Sequence, residues 1–139
     1  MKTPTILLSC LLLIQVFSFS SASTAGAEES ASMTINRFAI CQSVVNREPM
    51  GTSTTFDDST REVFAFLEAR NISTDLSVSF VWFYQDMEIS RYPLPIHQGN
   101  RWRTYASKSI AGKTGSWRVE IQDGTNTVLA AQDFMVIGN

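Results

Sequence analysis

Cysteine and histidine are scarce in this sequence, and their scarcity excludes several kinds of site. The 139 residues include 2 cysteines and 1 histidine. Cys10 lies in an N-terminal segment that we expect to be removed, which leaves Cys41 without a partner for an intrachain disulfide. With His97 as the one histidine, a zinc or copper site has too few nitrogen and sulfur ligands. We therefore predict no metal, no cofactor and a buried Cys41 thiol.

The usual signatures of catalysis are also missing. No nucleophile-elbow motif is present, and His97 lies in a stretch that reads as a loop. The adjacent carboxylates Asp57 and Asp58 stand on a polar loop, where such pairs commonly form turns or face solvent. We assign no catalytic residue on this basis. A small exported hydrolase that uses carboxylates remains the alternative function.

Neither sign of charge is in large excess. Lys and Arg number 11 and Asp and Glu number 13, so the formal net charge is −2. A chain with this balance gives no reason to expect nucleic acid or an anionic membrane as its partner.

Long apolar runs are absent except near the N-terminus. Lys2 precedes the mostly apolar run Ile6–Phe19, and small and polar residues follow up to Ala27. This order is typical of a secretory signal peptide over 1–27. The run is shorter than the about 20 residues of a membrane span, so we expect cleavage and no stable membrane insertion afterwards. An uncleaved anchor and a lipid anchor on Cys10 are the alternatives.

We expect residues 28–33 to form a flexible leader and the cleaved protein to be periplasmic or secreted. Removal of 1–27 leaves enough chain for one domain that is held by its own hydrophobic core. Its oligomeric state is left open.

Alternation of apolar and polar residues replaces helical periodicity in the remaining chain. In the stretch that starts at Gly115, Trp117, Val119 and Ile121 alternate with polar residues, which is typical of a strand with one buried face. Asp123-Gly124 is expected to adopt positive φ and to reverse the chain into a strand over 127–137. Because Leu129 and Phe134 have an odd spacing, both can face inward only if a bulge intervenes, which we place near Gln132-Asp133.

Similar reasoning predicts the other strands. They cover residues 34–46, 62–70, 76–84, 87–92 and 101–110. Pro93 and Pro95 remove two backbone donors from one side of their segment, which is typical of an edge strand. The sequence therefore predicts a single all-β domain over 34–139, an immunoglobulin-like β-sandwich of about seven antiparallel strands. Its predicted core includes Phe80, Trp82, Trp117, Val119, Ile121 and Phe134.

Several motifs in order resemble a known bacterial family. They are Arg101-Trp102-Arg103 within 99–108, Gly115-Ser116-Trp117-Arg118-Val119, Asp123-Gly124, Leu129 and Phe134, with Arg47-Glu48-Pro49 and Trp82 earlier in the chain. Together they resemble the domain of unknown function 2914 over roughly Phe38 to Val136. That family often has a histidine two residues before the strand tryptophan, where this chain has Phe80. A histidine-based metal or acid–base site is therefore not carried over, and the resemblance implies no activity.

The segment after Gly99 contains the best candidate binding residues. If Trp102 faces the core, Arg101, Arg103, Tyr105 and Ser107 lie on the opposite face of the strand. Guanidinium groups with paired N–H donors and a phenol ring in such a row can bind a carboxylate, a phosphate or a sugar. The alternative is that the arginines pair with Glu120 or Asp133 on neighbouring strands.

Two strands carry apolar residues on both faces, which predicts an exposed patch. Val81 and Phe83 lie opposite Phe80 and Trp82, and Phe64 and Phe66 alternate with Val63, Ala65 and Leu67. Either the loop over 50–60 covers one of these sets with Phe56 as its anchor, or an exposed partner surface forms. That surface would consist of Val81 and Phe83, with either Phe64 and Phe66 or their neighbours of opposite parity. We accordingly predict a non-catalytic envelope module that binds a protein or glycan of the cell envelope.

Overall fold

The computed structural model describes residues 32–139, and strands make up most of this part of the chain. The expected signal peptide over 1–27 and most of the expected leader over 28–33 lie outside the described residues. The strands are β1 Thr34–Cys41, β2 Ser43–Val45, β3 Glu48–Met50, β4 Thr55–Asp57, β5 Glu62–Ile72, β6 Leu76–Tyr84, β7 Met87–Ile96, β8 Gly99–Ser109, β9 Gly115–Gln122 and β10 Val128–Ile137. No membrane-spanning helix occurs between residues 32 and 139. The predicted all-β class is confirmed.

The strands form two larger sheets and one small hairpin. One sheet has the order β1-β5-β8 and the other has the order β4-β10-β9-β6-β7, while β2 pairs with β3. All pairings are antiparallel except that of the short strand β4 with β10. Strand β6 has the bounds that alternation predicted.

One hydrophobic cluster joins residues of both larger sheets. It contains Val63, Ala65 and Leu67 from β5 together with the aromatic residues of the five-stranded sheet. The predicted core set, Phe80, Trp82, Trp117, Val119, Ile121 and Phe134, is buried in this cluster as expected. Burial of the four aromatic side chains of this set supplies much of the apolar area that stabilises the domain.

Strand β7 is an edge strand, as its prolines predicted. Pro93 and Pro95 lie opposite Ser79 and Ser77 of β6, and β7 pairs with no other strand of the described chain. A proline has no N–H to donate, so this edge is a poor template for a further strand.

Two local predictions in the last hairpin were wrong. Positive φ occurs at Asn126 (63°) rather than at Asp123 or Gly124, because the Asp123 carboxylate holds a longer turn. It accepts backbone N–H groups from Thr125 and Thr127 at 2.8 and 3.0 Å. The register irregularity falls between Val128 and Ala130, before the expected position at Gln132-Asp133, and leaves Leu129 exposed.

Cys41 is a buried free thiol at the end of β1, as predicted. Its Sγ donates a long hydrogen bond to the Phe64 carbonyl oxygen at 3.6 Å. Burial raises the pKa of this thiol, so the reactive thiolate is disfavoured.

Candidate functional site

A buried carboxylate lies on the outer face of the three-stranded sheet. Along β5, Val63, Ala65 and Leu67 point into the shared core, so the alternate residues point outward. Glu68 is one of these outward residues, yet its side chain is only 1% exposed. A buried charge without partners is strongly unfavourable, so the surroundings of Glu68 must supply donors.

A β-bulge in β1 supplies two of these donors. The register with β5 shifts between Ile35 and Arg37, and a bulge sets two residues of one strand against one residue of its neighbour. Asn36 Nδ2 donates to Glu68 Oε1 at 2.7 Å, and Arg37 Nη2 donates to Oε2 at 2.8 Å. The bulge therefore lets two consecutive side chains reach the same carboxylate.

Strand β8 and β5 itself supply the remaining donors. Arg101 Nε and Nη2 donate to Glu68 Oε2 at 3.1 and 2.8 Å. Arg70 Nε donates to Oε1 at 3.2 Å, although Arg70 and Arg101 are directly opposed in the β5–β8 register. Two like charges in that position repel each other. The Glu68 carboxylate accepts hydrogen bonds from both arginines and so offsets this repulsion.

The β2–β3 hairpin adds a second carboxylate. Glu48 on β3 accepts hydrogen bonds from Arg37 Nη1 and Nη2 at 2.9 and 3.1 Å. It also accepts one from Arg103 Nη1 and lies 3.7 Å from Arg101 Nη2. Arg37 thus links Glu48 with Glu68, and its guanidinium lies 5.1 Å from the centre of the outward-facing Phe66 ring.

Both carboxylates are held in the ionised form. Burial acts to raise the pKa of Glu68, but hydrogen bonds from Arg37, Arg101 and Asn36 outweigh it and lower the pKa to about 2. Hydrogen bonds from Arg37, with a further one from Arg103, lower the pKa of Glu48 below its ordinary range. Neither group is suited to donate a proton near neutral pH.

Positive charge exceeds negative charge at this site. Arg47 lies at the hairpin turn with φ of 61° and lines a shallow cavity of about 250 Å³ together with Arg101, Trp102 and Arg103. Among residues 32–139, Arg47 makes no ion pair. We call the arginines 37, 47, 70, 101 and 103 with Glu48 and Glu68 the arginine cluster. Its formal charge is positive on a chain whose net charge is −2.

The sequence-predicted arginines belong to this cluster, but their partners differ from the expected ones. Arg101 and Arg103 pair with Glu68 and Glu48 rather than with Glu120 or Asp133. The expectation was wrong because β8 neighbours β5, whereas Glu120 and Asp133 lie on β9 and β10 in the other sheet.

Tyr105 and Ser107 lie further along the same strand, away from the carboxylates. The Tyr105 ring packs against Phe64 with a centroid distance of 5.9 Å. Tyr105, Ser107 and Ala106 line a groove of about 300 Å³ with Tyr92 of β7. Both tyrosines are exposed, at 48% and 55%.

The expected exposed patch at Val81 and Phe83 was wrong. Val81 is fully buried, because Arg91 of β7 and Glu120 of β9 stand directly opposite it on the two neighbouring strands. Phe83 is partly buried under Arg118, whose guanidinium carbon lies 4.2 Å from the ring centre. These residues lie in the five-stranded sheet, so the structure does not bring them together with Arg101 and Arg103.

The alternative cover by the loop over 50–60 was also wrong. Phe56 is part of β4 and enters the shared core, where its ring meets Phe134 edge to face at 5.8 Å. On the three-stranded sheet the hairpin over 43–50 lies against the outer face instead, contacting β1 and β5.

Sequence reasoning missed five members of the arginine cluster: Arg37, Arg47, Glu48, Glu68 and Arg70. One signal was available, since Glu68 interrupts an apolar strand and a charge in that context needs partners. Arg47 and Glu48 were noticed as part of a family motif without a structural role. The bulge that brings Asn36 and Arg37 together has no signal in the alternation of β1.

The groups considered for catalysis are dispersed. His97 Nδ1 lies 3.6 Å from Asp75 Oδ2, and its ring meets Trp102 at 4.7 Å. Asp57 caps a turn by accepting the Ser59 N–H at 3.0 Å. Between residues 32 and 139, no group of three His, Cys, Asp or Glu side chains could hold a metal ion.

Comparison with known proteins finds similarity to one family over part of the chain and points to no activity. The model of the family described as "Protein of unknown function (DUF2914)" matches residues 75–136, which confirms the resemblance over that segment. A comparison of this sequence with curated proteins found no match. The β-glucosidase from Listeria innocua in complex with glucose is similar in structure at 6% identity and a TM-score of 0.47. That likeness covers 79% of this chain and 16% of the glucosidase chain, and it is too weak to carry an argument.

Proposed function

We propose that this chain, which matches the DUF2914 model over residues 75–136, is an exported, non-catalytic module that binds an anionic protein or glycan of the cell envelope through its arginine cluster. The observation that carries the proposal is the excess of guanidinium groups on one sheet face. Five arginines there face two carboxylates. Guanidinium groups bind carboxylates and phosphates through paired, charge-assisted hydrogen bonds.

The strand order supports an immunoglobulin-like β-sandwich as the scaffold of this module. Strands β1, β5 and β8 correspond to A, B and E of that architecture, and β6, β7, β9 and β10 correspond to C, C′, F and G. In this arrangement each sheet has one outer face, and on the three-stranded sheet the hairpin lies against part of that face. A binding surface formed by β8 and the hairpin therefore fits the scaffold.

The alternative hydrolase requires a carboxyl group that carries a proton near neutral pH. Glu48 and Glu68 are the carboxylates that the arginine cluster offers such an enzyme, and their lowered pKa values favour permanent ionisation. A general acid needs the opposite shift. We therefore place the hydrolase second.

Arg47 offers the cleanest test, because it lines the cavity without an ion pair of its own in the described chain. Calorimetry should compare the purified protein with Arg47→Gln and Arg103→Gln variants against an oligouronate and an acidic peptide. Arg61→Gln is the matched control, since Arg61 is exposed and lies outside the cluster. We expect each cluster variant to weaken binding about tenfold and the control to leave it unchanged.

Equal affinity of all three variants for both ligands would contradict the proposal. A pull-down of the mature protein from its own envelope extract, repeated with Arg47→Gln, extends the test to natural partners. Hydrolysis of either ligand by the wild-type protein would favour the alternative function instead.

A further inference from the structure

The two larger sheets have four outer edges, and three of them are protected against further pairing. Strand β7 has Pro93 and Pro95, β1 is interrupted by its bulge, and β4 has three residues. Proline, bulges and short length are the usual means of preventing a sheet edge from pairing with another chain.

Strand β8 forms the fourth edge and has none of these protections. It is 11 residues long, contains no proline, and pairs with β5 without a register shift. Within the described residues β5 is its one hydrogen-bonded neighbour. Alternate N–H and C=O groups of an antiparallel edge strand point away from its neighbour, so β8 presents a row of backbone groups that a further strand can pair with.

The side chains of β8 specify the charge of such a strand. Arg101, Arg103 and Lys108 are its charged residues, and none is acidic. Arg101 and Arg103 belong to the arginine cluster on the outer face. On the opposite face Ala106 is buried and Trp102 packs against the core. Lys108 stands opposite the core residue Val63 and so shares this face near the end of the strand. An added strand therefore meets the two arginines on one face, and Trp102 and Ala106 on the other.

The geometry points to β8 as the docking edge for an extended acidic peptide, which adds as a fourth strand to the three-stranded sheet. Main-chain hydrogen bonds supply affinity in this mode, and alternate side chains supply selectivity. Acidic residues at every second position would face Arg101 and Arg103, while the intervening apolar residues lie beside Trp102. Exposed Tyr92 and Tyr105 flank the groove at the far end of the edge. This inference deepens the proposed function, because it selects a peptide over a glycan.

The probe is a capped peptide of four Val-Glu repeats, whose period of two places all glutamates on one face. Two further peptides have N-methyl groups on the Val or on the Glu amides, which removes backbone donors without changing charge. A Val-Lys peptide is the charge control. Modifying the peptide instead of β8 avoids variants that fail to fold.

We expect the Val-Glu peptide to bind, to slow amide hydrogen exchange in β8, and to bind about tenfold more weakly when one of the two amide sets is methylated. The Val-Lys peptide should not bind. Equal binding of both methylated peptides, or unchanged exchange in β8, would overturn strand addition.

The two proposals fail in distinguishable ways. If the oligouronate binds with dependence on Arg47 and Arg103 but the Val-Glu peptide does not bind, strand addition fails and the proposed function stands. If neither anion binds, both fail. If the Arg101→Gln and Arg103→Gln variants bind the peptide as tightly as the wild-type protein does, the proposed charge pairing is wrong. Only the backbone pairing of the peptide with β8 would then remain.

Discussion

Glu68 shows at the scale of one residue how a carboxylate can be buried in an apolar strand. Its side chain is 1% exposed, whereas the paired Arg37, Arg70 and Arg101 side chains are 37–45% exposed. The negative charge is therefore desolvated while the positive charges keep contact with water. Loss of the carboxylate would leave arginines that water can still solvate, which limits the cost.

We expect Glu68→Ala to destabilise the protein by about 2 kcal/mol, below the range for pairs in which both charges are buried. Glu48→Ala should destabilise the protein less than Glu68→Ala, because the Glu48 side chain is 43% exposed and its ion pairs are screened by solvent. Urea denaturation measures both values. Equal losses for the two variants would mean that burial does not distinguish the carboxylates.

The depressed pKa of Glu68 also predicts how stability depends on pH. The folded state lowers this pKa from 4.5 to about 2, so the carboxylate stabilises the fold above pH 4.5 and loses this effect as pH falls towards 2. Glu68→Gln has no charge to titrate there. The stability gap between wild type and variant should be largest at neutral pH and close in acid, as denaturation at several pH values will test.

Two tryptophans should respond differently to the same substitution. Trp117 stacks on Phe134 at 5.7 Å, and its Nε1 donates to the Lys113 carbonyl oxygen at 2.9 Å. The buried Nε1 of Trp102 has no partner within the described chain. Trp117→Phe removes a satisfied hydrogen bond and should cost more than Trp102→Phe, by about 1 kcal/mol.

Thermal and urea denaturation of both variants will show the order. Trp117→Ala, which removes the whole ring, should cost about 3–5 kcal/mol. A loss below about 1 kcal/mol would contradict the packing of β9.

At the scale of elements, the sequence predicted what depends on local periodicity. Strand β6 was located because apolar and polar residues alternate, and the edge position of β7 was predicted from Pro93 and Pro95. The arginine cluster depends on pairings between distant segments, since Arg37 and Glu68 meet only when β1 lies beside β5 with a bulge. No single strand contains that information, and for this reason the partners of Arg101 and Arg103 were assigned wrongly.

The hairpin over 43–50 should control access to Cys41. Gly51 follows it with φ of 69°, and a Cβ there would meet the Gln42 side chain at 2.9 Å. Gly51→Ala should therefore displace the hairpin and speed labelling of the native Cys41 thiol, which is otherwise slow because it is buried.

Gly112→Ala is the control for this prediction. Gly112 also has positive φ, 73°, but nothing lies within 4 Å of the position of a Cβ. Labelling followed by mass spectrometry distinguishes the variants. Fast labelling of the wild-type protein, or equal acceleration by both variants, would show that the hairpin does not protect the thiol.

At the scale of the whole molecule, the net charge does not reveal how the charges are distributed over the two sheets. The net charge of −2 gave no reason to expect a binding site for anions. The two outer sheet faces nevertheless differ. On the five-stranded sheet, Arg118 is matched by Asp86 and Glu120, both at 2.9 Å, whereas arginines outnumber carboxylates on the three-stranded sheet. Only the tertiary arrangement separates these charges.

The unprotected edge of β8 has a consequence for concentrated solutions of the protein. Two copies could pair through this edge, but in a full-length antiparallel pairing Arg103 of each copy would stand opposite Tyr105 of the other, which makes the two Arg103 side chains diagonal neighbours. Mutual repulsion then keeps the molecules apart in dilute buffer. At about 1 M salt the screening length falls to about 3 Å, and the repulsion weakens. Light scattering should therefore show self-association that increases with salt, the reverse of ordinary charge-driven aggregation.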